Sequence, residues 1–402
     1  MSRSWVELGL MQGNPPPPDK RVTIDDYDQG LHPRWSLLHM RELIPSARVT
    51  ASPSPRVLPR APRDLLDLPF QHEGRERRFA DLLDATDVDA ILVVHRGEVV
   101  LEHYDEGVGP DSRHVAQSVT KSVVATLVGI CIERGLLDPA EPVTTYLPEL
   151  VGTSWDGATM QQVLDMRTAT MFDESDYEDP DSESMRGFRI LGWLARRPDD
   201  PLPHEYIAAL SNDGEHGSRF EYRSILTDVL GWVLERVSGK PLATLLTESL
   251  WQPMGAAYDA DLLVGPLSFP LASGGLCLTV EDLARFGLLH LEGGSIDGRQ
   301  VVPRAWVESI TRDDDGLAES FVGYDTENEF PPGAFYHQQW WVLDPSAGVF
   351  TGLGIHGQQV LVHPPSQTVV AKFSSWTHPI DDGHAAMSAA ALQALCDHLA
   401  GS

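Results

Sequence analysis

Cysteine is scarce in this chain of 402 residues: only Cys131, Cys277 and Cys396 occur, far apart and each among apolar neighbours. No C-x-x-C pair exists, which removes zinc ribbons and thiol redox motifs and leaves reduced core thiols as the expectation. Cations are also in deficit, with 30 Lys and Arg against 59 Asp and Glu and a formal net charge of −29. With no basic stripe, a phosphate backbone would be repelled, so nucleic-acid partners are excluded. Long apolar runs are missing too. Nowhere do eighteen such residues follow one another, so no membrane-spanning helix is expected. The opening "MSRSWVELGLMQGNPPPPDK" has no basic start, apolar stretch and small-residue cleavage site in series, and a cytoplasmic location is expected. H-E-x-x-H and G-x-S-x-G are both absent, which leaves zinc proteases and α/β-hydrolases without support. The loop "DESDYEDPDSE" offers oxygens at Asp176, Asp179, Asp181 and Glu183, but it lacks the central glycine and closing glutamate of a calcium loop. It reads as a solvated acidic segment, and neither a metal nor another cofactor is expected.

What is present has an order. Residues 1–62 are rich in proline and weak in periodicity, an N-terminal arm and linker packed on the body. "AILVVHRGEVVLEHY" (90–104) alternates as a hairpin about its glycine. The stretch 118–255 reads as a helical domain, in which "ILTDVLGWVLERVSG" repeats apolar residues at helical spacing and stops at a glycine. Residues 63–117 and 256–402 form the body. There a helix begins at Thr279 with Asp282 three residues on, and "QQWWVL", "QQVLVHP" and "TVVAKFSSW" suggest an antiparallel meander before a last helix. Strands at both ends with helices between give an α+β fold: an antiparallel sheet flanked by helices, with an inserted all-helical domain.

Chemistry enters at "QSVTKSVVATLVGICIERG" (117–135). Ser118 and Lys121 are three apart, on one face of the first helical turn, where free N–H groups favour developing negative charge. A desolvated lysine loses affinity for its proton and can take one from a serine. The bland alternative is a capping serine beside a snorkelling lysine. In "FEYRSILTD", Tyr222 precedes a helix with Ser224 two residues on, and a tyrosine meeting a lysine and a serine can shuttle a proton. In "TGLGIHGQQ" (351–359), glycines allow backbone to approach a substrate and offer an oxyanion donor. A packing tyrosine and a tight turn are the alternatives for these two.

The order S-x-x-K, then Tyr-x-Ser about a hundred residues later, then a glycine-rich late strand resembles the serine β-lactamase and penicillin-binding-protein family. The likeness is to its class C and esterase branch, and most to the members that hydrolyse nylon oligomers. It runs through "HPRWSLLHMRELIPSARV", "SVTKS", "VLDMRT", "DYEDPDSE", "TDVLGWVLERVSG", "GGLCLTVEDLARFG", "QWW" and "GIHGQQVLVHPPSQTVVAKFSSW". The resemblance implies a five-stranded type of antiparallel sheet beside a helical domain, with the active site in the cleft between. Ser118 would be the acylated nucleophile, Lys121 and Tyr222 its proton-transfer partners, and the N–H groups of Ser118 and Ile355 the oxyanion hole. Asp173, Tyr177, Asp181, Ser224, Gly354 and His356 would border the substrate. The family's Lys-Thr-Gly is Gly352-Leu353-Gly354 here, which argues against β-lactams. The nylon-oligomer members carry a further tyrosine in the loop before "DYEDPDSE" that assists amide cleavage. An ungapped count places Asp173 there, so ester cleavage is the firmer expectation. The implied function is hydrolysis of a small ester or linear amide through an acyl-enzyme. Acyl transfer, and ligand binding without catalysis, stand as alternatives, and a homodimer is compatible with the sequence.

Overall fold

The computed structural model describes residues 4–174, 176, 177, 179, 181–325 and 329–401. Its main sheet is antiparallel throughout and has seven strands. In spatial order they are Phe335–His337, Trp340–Asp344, Val349–Gly354, Gln358–His363, Thr368–Ser374, Val88–His95 and Glu98–Tyr104. The hairpin read at 90–104 is there, turning at Arg96 and Gly97 with φ of 51° and 82°, the mirror-image geometry that suits strand twist. The resemblance implied five strands. The edge strand Phe335–His337 was missed because its turn is Gln338-Gln339, with φ of 49° and 64°, and carries no glycine to mark it.

Every residue of Val88–His95 is buried, so this strand is covered on both faces. Ala90, Leu92 and Val94 join the larger core, with the helix Val280–Leu291, whereas Ile91 and Val93 join the core of the helices Phe79–Ala85 and Asp382–Ala400. Alternation thus divides one strand between two cores. The helix Val280–Leu291 starts as expected, with the Thr279 hydroxyl accepting from the Asp282 N–H at 3.2 Å.

The arm is more than a linker. Pro33–Leu43 is helical and buries Trp35, Leu37 and Met40. Ser46–Val49 pairs with Ala260–Leu263 in a second sheet completed by Leu276–Leu278 and His114–Val115. Between Val115 and Ala260 the described residues form helices and loops, with isolated bridges only. The helix Val119–Glu133 runs through this junction, and all residues from Val119 to Cys131 are buried. A helix buried on all sides is held rigidly. No helix among the described residues is long and apolar enough to cross a membrane.

Candidate active site

Ser118 sits at the N-cap of the helix Val119–Glu133. Gln117 before it is in the left-handed region at φ 47°, a strained position for a side-chain-bearing residue that turns the chain sharply into the helix. Lys121 is completely buried, and its Nζ lies 2.8 Å from Ser118 Oγ and 2.8 Å from the Ser273 carbonyl. Burial pushes the lysine's proton affinity down, opposed by the charges of Glu174 and Asp228. A neutral amine here donates one N–H to the Ser273 carbonyl and keeps its lone pair for the serine hydroxyl.

Tyr222 closes the triangle. It is hydrogen-bonded to Ser118, and Lys121 Nζ lies 5.1 Å from its ring centroid. The ring stacks on Trp341 at 5.3 Å and meets Tyr336 edge-on at 5.8 Å, so its orientation is fixed by aromatic packing. Burial raises its pKa well above the usual phenol value and the charge of Glu174 adds to that, while the bond to Ser118 opposes it. Tyr222 therefore keeps its proton, and Lys121 is the group able to accept one from Ser118.

The glycine-rich strand arrives beside the serine. A Cβ on Gly354 would lie 2.8 Å from the Ala116 carbonyl oxygen and 3.0 Å from Gln117 Cβ. Only glycine permits this approach, and it sets Ile355 in the lining of the cleft beside Ser118. The turn that follows is clamped from behind. Gln358 Nε2 donates to the carbonyls of Ile355, His356 and Ser374 at 3.1, 3.1 and 2.8 Å. Lys372 Nζ donates to the Gly357 carbonyl at 2.7 Å, and burial lowers this lysine's pKa to about 7.

A cleft of about 520 Å³, its mouth included, opens on Ser118, which is room for a small molecule. Ser118, Ile355, Ser224 and Tyr177 all line it. Ser224 and Tyr177 are joined through Glu174, whose carboxylate accepts from the Ser224 N–H and Oγ–H and, at 2.8 Å, from the Tyr177 hydroxyl. The helix Ser224–Ser238 has no side-chain cap of its own; Glu174 supplies the anion its first N–H needs. Gly354 stands behind Ile355 and shapes the wall without lining it.

Three expected substrate contacts lie elsewhere. Asp173 is exposed and borders a neighbouring cavity with Glu183, Arg186 and Tyr206. Asp181 is 82% exposed and 3.5 Å from Arg197, drawn outward by solvent and that guanidinium. His356 is fully buried, with Nδ1 2.7 Å from the Trp376 carbonyl; burial lowers its pKa to about 4, so it is a neutral packing group. Tyr177, four residues beyond Asp173, does line the cleft. Glu174, Ser273 and Asp228 were missed, as were Tyr27 and Asp28, which the arm contributes to the cleft. Glu174 lies in an acidic run that looks solvated, and the others lie in segments whose spacing carries no chemical pattern. No group of three or more His, Cys, Asp or Glu arranged to hold a metal occurs among the described residues.

The beta-lactamase family profile matches residues 76–395. This chain belongs to the beta-lactamase family. Among curated proteins it is 39% identical to 6-aminohexanoate-dimer hydrolase of Paenarthrobacter ureafaciens over 361 residues, 89% of each chain. It is 28% identical to esterase EstB of Burkholderia gladioli over 213 residues, covering 47% of this chain and 49% of that one. A solved Bacillus anthracis chain, given the name 6-aminohexanoate-dimer hydrolase provisionally, superposes with a TM-score of 0.84 at 29% identity, covering 94% of this chain and 97% of its own. As a member of the beta-lactamase family with these relatives, the chain is a serine hydrolase acting on esters or amides.

Proposed function

We propose that the protein cleaves a small linear amide or ester, with Ser118 as nucleophile, Lys121 as base and Tyr222 as proton shuttle. The observation that carries this is the fully buried Lys121, 2.8 Å from Ser118 Oγ and anchored by its other contact on the Ser273 carbonyl. Ser118 Oγ attacks the carbonyl carbon as its proton passes to Lys121. The N–H groups of Ser118 and Ile355 receive the oxyanion. The proton moves by way of the Tyr222 hydroxyl to the leaving nitrogen or oxygen as the scissile bond breaks, and the acyl-enzyme remains on Ser118. Water then repeats the sequence, losing its proton to Lys121 and releasing the acid. An expelled amine must be protonated, and the Tyr177 hydroxyl in the same cleft supports amide as well as ester cleavage. Among the described residues two carboxylates, Asp28 and Glu174, line the cleft and no cation does, which disfavours acids such as β-lactams near this wall. The three cysteines are buried and unpaired, which supports action in a reducing cytoplasm.

A turnover panel tests the reading with a nitrophenyl ester, a linear aminohexanoate dimer, a D-alanyl peptide and a chromogenic cephalosporin. The ester and the linear amide should turn over and lose activity in Ser118→Ala. Turnover of the cephalosporin alone would overturn it.

A further inference from the structure

The carboxylate of Asp228 belongs to no step above, yet it is completely buried on the helix Ser224–Ser238. Its Oδ1 accepts from the Ser273 N–H at 2.9 Å. The carbonyl of that same Ser273 accepts from Lys121 Nζ at 2.8 Å. Its Oδ2 is enclosed with no hydrogen-bond partner among the described residues. A buried carboxylate with one oxygen unpartnered is costly, so one that served only to hold the Ser273 N–H and hydroxyl would be a poor choice there. Threonine or asparagine could hold that N–H without burying a charge.

We infer that Asp228 is a positioning residue that strengthens Lys121 as a base, by fixing the Ser273 backbone that orients the amine and by placing a negative charge behind it. The argument rests on the reading of Lys121 as the proton acceptor. Burial alone weakens that amine, because the ammonium it becomes is poorly solvated in the interior. When Ser118 gives up its proton, the charge that develops on Lys121 needs compensation from a group that costs no reorganisation at that moment. Asp228 is already in place. Burial raises its own pKa, with the Ser273 N–H and the Lys121 charge opposing, so carboxylate and amine answer to each other's charge. The other charged groups facing Asp228 are few. Lys121 comes from the helix Val119–Glu133 and Glu174 from the loop before the helix Glu183–Leu191. The short helices Met160–Leu164 and Leu242–Leu246, also packed on this element, carry no titratable side chain. Val143–Tyr146 carries only Tyr146, whose hydroxyl is engaged by Asp138.

The test is the pH profile of kcat/KM for a nitrophenyl ester in wild type and Asp228→Asn. Asparagine keeps the shape and can still accept from Ser273, but it removes the charge. Lys121 should then lose its proton more readily, so the acid limb should move about one pH unit or more to lower pH. The plateau should fall roughly tenfold, as the amine becomes a weaker base. A merely structural Asp228 would lower the rate and leave the limb where it is; that result overturns the inference. Should Asp228→Asn not fold, melting temperatures of Lys121→Met and of Lys121→Met with Asp228→Asn decide. Removing one partner of a buried charged pair strands the other, so the double variant should melt higher than Lys121→Met. An equal or lower value overturns the inference. Lys121→Ala distinguishes the two levels. If it retains wild-type turnover, the proposed function fails and this inference with it. If it is inactive while Asp228→Asn leaves the limb unmoved, only the role of Asp228 fails.

Discussion

The two walls of the cleft are built from different material. One carries Ser118 and Lys121 on a helix buried from Val119 to Cys131, and Ile355 at the end of a strand pressed against Ala116. The other carries Glu174, Tyr177 and Phe188, on a loop and the first helix after it, with Tyr27 and Asp28 reaching in from the arm. Regular elements locked in a core hold reacting atoms to within the tolerance that catalysis needs. Loops adapt to what is bound. Chemistry should therefore depend on the first wall and substrate choice on the second.

The sharpest break of this comparison is on the frame side. Lys121→Ala and Tyr222→Phe should each lower turnover by roughly 10²-fold or more, in the range of general acid–base removal. Because both act on one proton, the double variant should be little slower than either single one. Full additivity would show independent roles. Next in size is Gly354→Val. Its Cβ would meet the Ala116 carbonyl at 2.8 Å, so Ile355 must retreat from Ser118. We expect kcat to fall roughly tenfold to a hundredfold, as for loss of an oxyanion donor, with KM nearly unchanged. A rise in KM alone would contradict the frame assignment.

On the loop side the pattern should invert. Phe188 lines the cleft and stacks on Tyr177 at 5.7 Å, so Phe188→Ala should raise KM several-fold for a long-chain ester and leave kcat within about threefold. A loss confined to kcat would place this ring in the chemistry. The smallest effect concerns the frame's interior. Burial lowers the pKa of both His290 and His356 to about 4. Both are neutral in the fold but take a proton near 6.5 when unfolded, so their contribution to stability is present above that pH. It is lost as pH falls from about 6.5 towards 4. In that window, denaturant-derived stability should depend on pH less steeply in His290→Gln than in wild type, by up to about one proton. Identical slopes would show that this imidazole is already charged in the fold.

The same division governs what could be read before the structure was known. Ser118, Lys121 and Tyr222 lie on or beside periodic elements with caps and glycine stops, and their spacing carried a chemical meaning, whereas Ile355 was implied only by the family resemblance. The hairpin at 90–104 and the helix starting after Thr279 were legible for the same reason. Glu174 was not, because only the folded loop turns one carboxylate of an acidic run inward to Ser224 while Asp181 faces solvent. Tyr177 and Asp173 were both named as substrate contacts, and only the folded loop separates them, turning Tyr177 to the cleft and Asp173 to the neighbouring cavity. Asp228 hid on an amphipathic helix where its neighbours Leu226, Val229 and Leu230 signalled only core. The arm's contribution through Tyr27 and Asp28 depends on contacts more than 80 residues distant in sequence, which no local pattern encodes.

The central claim is that Ser118 is the residue acylated, driven by Lys121. Intact-mass measurement after brief exposure to a slow ester or a fluorophosphonate tests it most directly. The account predicts a single adduct on the wild-type chain, mapped by peptide digestion to Ser118, absent in Ser118→Ala and forming far more slowly in Lys121→Ala. An adduct of the same mass that persists in Ser118→Ala would contradict it.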